Sequence, residues 1–168
     1  MLNERLPHSL EELFKFKKTL AEARKLPKDL RLLLELIPAS ASPLDVLKTI
    51  TAYLGTLEPE EGSAASIRLV AIVGAALFFW QHFHENGLMI DTYTGENDSL
   101  AQNLLKLLYY DEPKTLNPVQ VRALDLALIV NAMDLSSNSI IAARLSASES
   151  GSDIYSCVNS AMGCMKDN

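Results

Sequence analysis

The run Leu69-Val-Ala-Ile-Val-Gly-Ala-Ala-Leu-Phe-Phe-Trp80 is the longest uncharged apolar stretch of the chain, and its reading decides the fold. As a helix its 12 residues rise about 18 Å, short of the ~20 residues that a bilayer core demands. It lies mid-chain and lacks the basic n-region and small-residue cleavage site of a signal peptide. A helix that is apolar nearly all round has to be buried against something. The pattern continues on both sides, predicting a long helix over about residues 64–85 that stops at Asn86-Gly87, where glycine tolerates a left-handed conformation.

Working outward from this helix, the chain reads as more helices with their punctuation in place. Ser9 and Glu12 have capping-box spacing ahead of Leu10, Leu13, Phe14, Leu20 and Ala21. Leu26-Pro27 breaks that helix. Leu30, Leu33, Leu34 and Ile37 mark a short second one that Pro38 closes. Ser42-Pro43 supplies a cap and a first-turn proline for a third, with Leu44, Leu47, Ile50 and Leu54 inward and Gly55 as its expected stop. Glu58-Pro59-Glu60-Glu61-Gly62 reads as a loop, as do residues 88–98. Downstream, Leu100, Leu104, Leu105, Leu107 and Leu108 form a fifth helix, and Asn117-Pro118 opens a sixth with Val121, Leu124, Leu128 and Ile129. Two more are expected near 138–147 and 153–165. No alternating strand segments and no fixed-period repeat appear, so the prediction is all-α, one domain over residues 1–168, with about eight helices.

Composition agrees and removes several function classes. The 168 residues are 48% apolar and 21% charged, with only 7 glycines and 7 prolines. That excludes wholesale disorder and disfavours a turn-rich barrel. A compact chain of this mass would expose roughly 8,000 Å² and bury about 70% of its surface. The net charge of -6 is uneven, with a net +2 over residues 1–48 and -8 over 49–168. No basic stripe with interleaved aromatics is present, so neither nucleic acid nor an acidic membrane surface is an expected partner. Cys157 and Cys164, seven apart, would stand about 10 Å apart on a helix, too far for a disulfide. They read as buried thiols of a reducing, cytoplasmic compartment.

No catalytic set assembles from the residues. His82 and His84 are two apart on a helix and point about 200° from one another, so they do not share a metal. The chain has no Cys-x-x-Cys pair, phosphate-cradling glycine loop or nucleophile elbow. Glu58, Glu60, Glu61, Asp91, Asp111 and Glu112 read as solvated loop carboxylates. Asp134 follows an apolar helix end and precedes Ser-Ser-Asn-Ser, the position of a cap for the next helix or of a buried acid. No metal site and no cofactor is expected.

Five stretches, taken in order, carry a resemblance. LNERLPHSLEEL (2–13) is similar to "LLxGxLPTxxEL", and PASASPLDVLKTITAYL (38–54) to "PxxxHPMDVLRTxVSAL". LFFWQHFHENG (77–87) is similar to "LLYWYHYSHNG", SLAQNLLKLLYYDEP (99–113) to "SxxxxFLxLLxGExP", and AARLSASESGSDIYSCVNSAMGCMK (142–166) to "xARVxAGTGSDMYSAIxGAIGALR". The motifs are those of the citrate synthase family, closest to its 2-methylcitrate synthase branch. The resemblance implies part of that family's large helical domain. It also implies condensation of acetyl-CoA or propionyl-CoA with oxaloacetate by metal-free homodimers, using a carboxylate base and two histidines.

Residue by residue, the implied machinery is broken. The family box "HADHELNASTF" falls without a gap on residues 131–141, which sets Asp134 at the enol-stabilising histidine and Leu135 at the neighbouring glutamate. A carboxylate at Asp134 accepts where a donor is needed. A substrate-contacting histidine falls on Asn103. The second catalytic histidine, in "GPxHGGAN", the catalytic aspartate and the small domain would all follow Lys166, and the family's N-terminal segment is also missing. In the family, the helices resembling 43–54 and 64–85 contribute to the dimer interface. Leu69, Ile72, Val73, Ala76, Phe79 and Trp80 are therefore candidates for an association surface, or for plain core in a rearranged monomer. The expected reading is an inactive fragment or pseudoenzyme acting by helix packing, as a homodimer or with a citrate synthase-like partner chain. The alternative is one subunit of a split enzyme.

Overall fold

A computed structural model describes residues 7–57, 63–111, 115–133 and 137–165. Among them are eight helices: α1 (Leu10–Glu22), α2 (Lys28–Leu36), α3 (Pro43–Thr56), α4 (Ser63–Asn86), α5 (Leu100–Leu108), α6 (Pro118–Met133), α7 (Asn138–Ser150) and α8 (Ile154–Gly163). No strand occurs among the described residues, so the fold is all-α.

Helix α4 is the hub, packing on α1, α2, α3 and α5. Two branches leave it: α5 carries α6 on one side, and α3 carries α8 and then α7 on the other. The main core joins Leu69, Ile72, Ala76, Phe79 and Trp80 of α4 to Leu30 and Leu34 of α2 and to Val46, Ile50 and Leu54 of α3. At 24 residues α4 is long and apolar enough to cross a bilayer, but it is packed among four helices of its own chain. Five of the six candidate association residues, Leu69, Ile72, Ala76, Phe79 and Trp80, are buried in this core, and Val73 packs against it. The structure therefore corrects the surface reading and supports core, because α2 and α3 of the same chain already cover that face.

Three polar side chains on α4 fasten the flanking helices. The last carbonyls of any helix lack intrahelical partners. At the end of α2, Trp80 Nε1 donates to Ile37 O at 3.3 Å and His84 Nε2 to Leu34 O at 3.2 Å. At the end of α5, His82 Nε2 donates to Leu107 O at 2.8 Å. Since a carbonyl only accepts, Nε2 carries the proton in both histidines. The opposed directions expected of His82 and His84 are thus used on two different neighbours.

Local signals mostly hold. Ser42 Oγ accepts from Asp45 N, Pro43 takes the first turn of α3, and Gly87 stops α4 at φ +68°. At α1, Ser9 Oγ accepts from Glu12 N, but Glu12 reaches back to His8 N. The full reciprocal capping box lies instead at Ser99 and Gln102, opening α5. Gly55 does not stop α3, which runs on to Thr56. Its role is space: a β-carbon there would stand 3.1 Å from the Tyr155 β-carbon, so glycine lets α8 approach α3. Asp153 caps α8, accepting from the backbone of Tyr155 and Ser156.

The surface is larger than a compact chain would show. The accessible area is 10,683 Å², against the roughly 8,000 Å² expected for this mass. Helix α6 accounts for part of the excess, because none of its residues is buried.

Gly55→Leu is expected to cost about 1–3 kcal/mol in urea unfolding, by overpacking against Tyr155. Gly87→Ala, which meets open space but at positive φ, should cost about 1 kcal/mol. An unchanged midpoint for Gly55→Leu would refute close α3–α8 packing.

Candidate functional site

The densest polar constellation surrounds the segment between α4 and α5. Arg24, just past α1, is fully buried. Its Nη1 donates to Gly95 O at 3.2 Å and its Nη2 to Asp98 O at 2.8 Å. Its own carbonyl accepts from the buried Thr92 hydroxyl at 2.9 Å. One residue therefore both gives and takes hydrogen bonds on the same loop. Burial pushes the Arg24 guanidinium below its usual range, with Asp98 and Tyr93 partly restoring it.

Asp98 continues the network. Lys106 of α5 donates to both carboxylate oxygens at 2.8 Å. Burial pushes this carboxyl up, but hydrogen bonds from Lys106 and Thr94, with the charges of Lys106 and Arg24, outweigh it and leave it below the ordinary range. Asn103, at the substrate-histidine position implied by the family resemblance, is fully enclosed. Its amide donates to Thr94 Oγ1 at 3.0 Å and to Thr92 O at 3.4 Å, while Oδ1 has no hydrogen-bond partner. The side chain is committed to holding the loop.

Beside this network lies a cavity of about 400 Å³ lined by Asp91, Tyr93, Lys106, Tyr109, Tyr110 and Leu116, among others. Lys106 is neutralised by Asp98, which leaves phenols and Asp91 facing the space without a paired nucleophile and base. A second opening of about 400 Å³ lies between the end of α1 and the start of α4, beside Glu22, Lys25 and Arg68.

The remaining sequence candidates scatter. His82 is buried, with Nδ1 3.4 Å from the Asp111 carboxylate, which also accepts from Asn86 Nδ2 at 2.5 Å. Among the described residues, no group of three His, Cys, Asp or Glu side chains is placed to hold a metal. Cys157 is buried as expected, but Cys164 is exposed, because it sits past the last turn of α8. Asp134 and Leu135, like Glu58, Glu60, Glu61 and Glu112, lie outside the described residues. The cap of α7 is Ser137, whose Oγ accepts from Ile140 N, so the capping role expected of Asp134 falls three residues later. Arg24 was not anticipated, since a lone arginine after a helix carries no local signal of the loop it will meet some 70 residues later.

Fold and site together define an all-helical domain built on a central apolar helix, with a polar clamp on the loop before α5. A family model described as "Citrate synthase, C-terminal domain" matches residues 1–168. A citrate synthase-related protein of Dictyostelium discoideum is 38% identical, covering 92% of this chain and 42% of its own length. The 2-methylcitrate synthase of Shewanella oneidensis is 35% identical over 92% of this chain and 41% of its own. The crystal structure of citrate synthase from Thermotoga maritima superimposes with a TM-score of 0.79 at 25% identity, covering 95% of this chain and 40% of that one. The chain belongs to the citrate synthase family and spans about two fifths of the length of the relatives it matches.

Arg24→Ala is expected to cost about 3–5 kcal/mol, because it strands two loop carbonyls and opens a cavity. Arg24→Lys should recover part of this with its single donor head. Urea denaturation measures both, and a loss below about 1 kcal/mol for Arg24→Ala would contradict the clamp. For Asp98 the folded pKa lies below the unfolded value of about 3.9. Its contribution is therefore complete above that pH and lost as the pH falls through the folded value. Asp98→Asn should lower stability at pH 7 by about 1–2 kcal/mol and flatten the acid limb of the stability profile.

Proposed function

We propose that this chain is a citrate synthase/2-methylcitrate synthase-like helical module with no turnover of its own, acting through helix packing or oligomerisation. The observation that carries this reading is Asn103. Where the family resemblance implies a substrate-contacting histidine, an enclosed amide is spent on Thr92 and Thr94 and cannot carry charge to an oxaloacetate carboxylate. Asp134, at the implied enol-stabilising histidine, argues the same way from the sequence, because an acceptor repels developing enolate charge. The family reaction, condensation of acetyl-CoA or propionyl-CoA with oxaloacetate, is in this reading the ancestral chemistry of the fold. The compartment proposed is the cytoplasm, and the partner a second copy or a citrate synthase-like chain.

Two observations favour the second reading, a subunit of a split citrate or methylcitrate synthase. The chain matches about two fifths of its relatives, and α6 keeps an open apolar side on which further helices could pack.

Thiol release from acetyl-CoA or propionyl-CoA in the presence of oxaloacetate separates these. The chain alone is expected to release no thiol above the protein-free rate, and Asn103→His with Asp134→His should not restore it. Turnover by the unaltered chain would overturn the non-catalytic reading. Turnover only with a co-expressed partner would support the split enzyme.

A further inference from the structure

The cavity beside the loop before α5 has a lining whose chemistry the Arg24 clamp does not use. Its volume of about 400 Å³ falls in the range of small-ligand sites. Tyr93, Tyr109 and Tyr110 bring phenol rings to it, and Asp91 brings a carboxylate. They come from two stretches of chain, the loop after α4 and the end of α5.

Aromatic rings attract cations, because the face of the ring is negative and its edge positive. One instance is already present, since the Lys25 ammonium nitrogen lies 5.6 Å from the centroid of the Tyr93 ring. Tyr110 is braced by His82, whose ring centroid is 6.1 Å from its own. The Tyr110 hydroxyl accepts from Asp91 N at 3.5 Å, and Asp91 Oδ1 accepts from Tyr93 N at 3.0 Å. Residue 91 is thus tied to two of the phenols. Its other carboxylate oxygen, Oδ2, has no hydrogen-bond partner among the described residues.

Charge selects the sign of the occupant. Lys106 also lines the space, but both oxygens of Asp98 hold its ammonium at 2.8 Å, so that pair is neutral. Asp91 is then the net charge among the described lining residues. An anion would meet this carboxylate with no cation to spare, and a neutral guest would leave Oδ2 unanswered. A small organic ammonium satisfies both demands. Its charge lies against the ring faces and Asp91, and its carbons lie against the phenols and Leu116. The acidic balance of residues 49–168, a net -8, adds a favourable field at longer range.

We propose that this cavity is a binding site for a small organic ammonium ion, with Tyr93, Tyr109 and Tyr110 as its aromatic walls and Asp91 as its counter-ion. The charge of this guest is opposite to that of oxaloacetate and acyl-CoA. The site therefore does not depend on whether the chain turns those over.

Calorimetric titration of the full chain with choline and with ethanolamine tests it, against dimethylbutanol, the uncharged carbon isostere of choline. At least one ammonium should bind with a dissociation constant at or below about 1 mM at low salt, and should shift the ring resonances of the three tyrosines. The alcohol should bind about tenfold more weakly, or less tightly still. Asp91→Asn keeps an oxygen for Tyr93 N and removes only the charge. Tyr109→Leu removes an aromatic face that Tyr109→Phe keeps. The first two should each weaken binding at least about tenfold, and Tyr109→Phe by less than about threefold, with the helical circular dichroism kept. No binding of either ammonium at about 10 mM would overturn the proposal, as would equal binding of the alcohol. A dissociation constant unchanged by both Asp91→Asn and Tyr109→Leu would put the guest elsewhere and overturn it as well.

Discussion

The inner helices of this fold, α1, α2, α3 and α5, are arranged around the burial of one helix. A 24-residue helix apolar nearly all round has no stable place in water, and α4 finds one only by collecting α1, α2, α3 and α5 about itself. Burial alone sets no register, because apolar contact is non-directional. Register comes from three polar side chains near the C-terminal end of α4. Trp80 and His84, one turn apart, take carbonyls at the end of α2, and His82 takes one at the end of α5. The Ile37 and Leu34 carbonyls are acceptors that the end of α2 would otherwise strand, so sliding α2 by a turn would leave carbonyls unpaired. Leu107 O takes His82 in addition to the backbone N–H of Tyr110.

The elements of the fold were largely legible in the sequence, because their signals are local. Ser42-Pro43, Asn86-Gly87 and the apolar run of residues 69–80 each dictate a start, a stop or a buried body without reference to distant residues. Gly55 shows where local reading fails. A glycine after a helical pattern predicts a stop, but here it is kept inside α3 to make room for Tyr155, about a hundred residues away. The candidate association residues fail similarly. Apolar periodicity says that Leu69, Ile72 and Phe79 share a face, and only the positions of α2 and α3 decide whether that face is core or surface.

The candidate site was less legible, since it is held by long-range contacts. The charge and size of Arg24 suggest a solvated side chain, whereas the structure encloses it and uses it to fix the loop before α5. Asn103 was visible as a departure from the family pattern, but its commitment to Thr92 and Thr94 follows from a loop path that no spacing rule reveals. The two residues hydrogen-bond to the same segment, residues 92–98. Between them, Arg24 and Asn103 tie four residues of that segment, Thr92, Thr94, Gly95 and Asp98, to the chain just past α1 and to α5.

A domain organised by α4 and loosened toward α6 has an ordered hierarchy of local stability. Native-state hydrogen exchange, resolved by peptide, measures that hierarchy most directly. Amides of residues 69–84 should exchange only through global unfolding, with the same denaturant dependence as equilibrium unfolding, and should be the slowest in the chain. If residues 69–84 instead exchange through local opening, faster than those of α3 or α5, α4 is not the hub of this fold and the account is wrong at its centre.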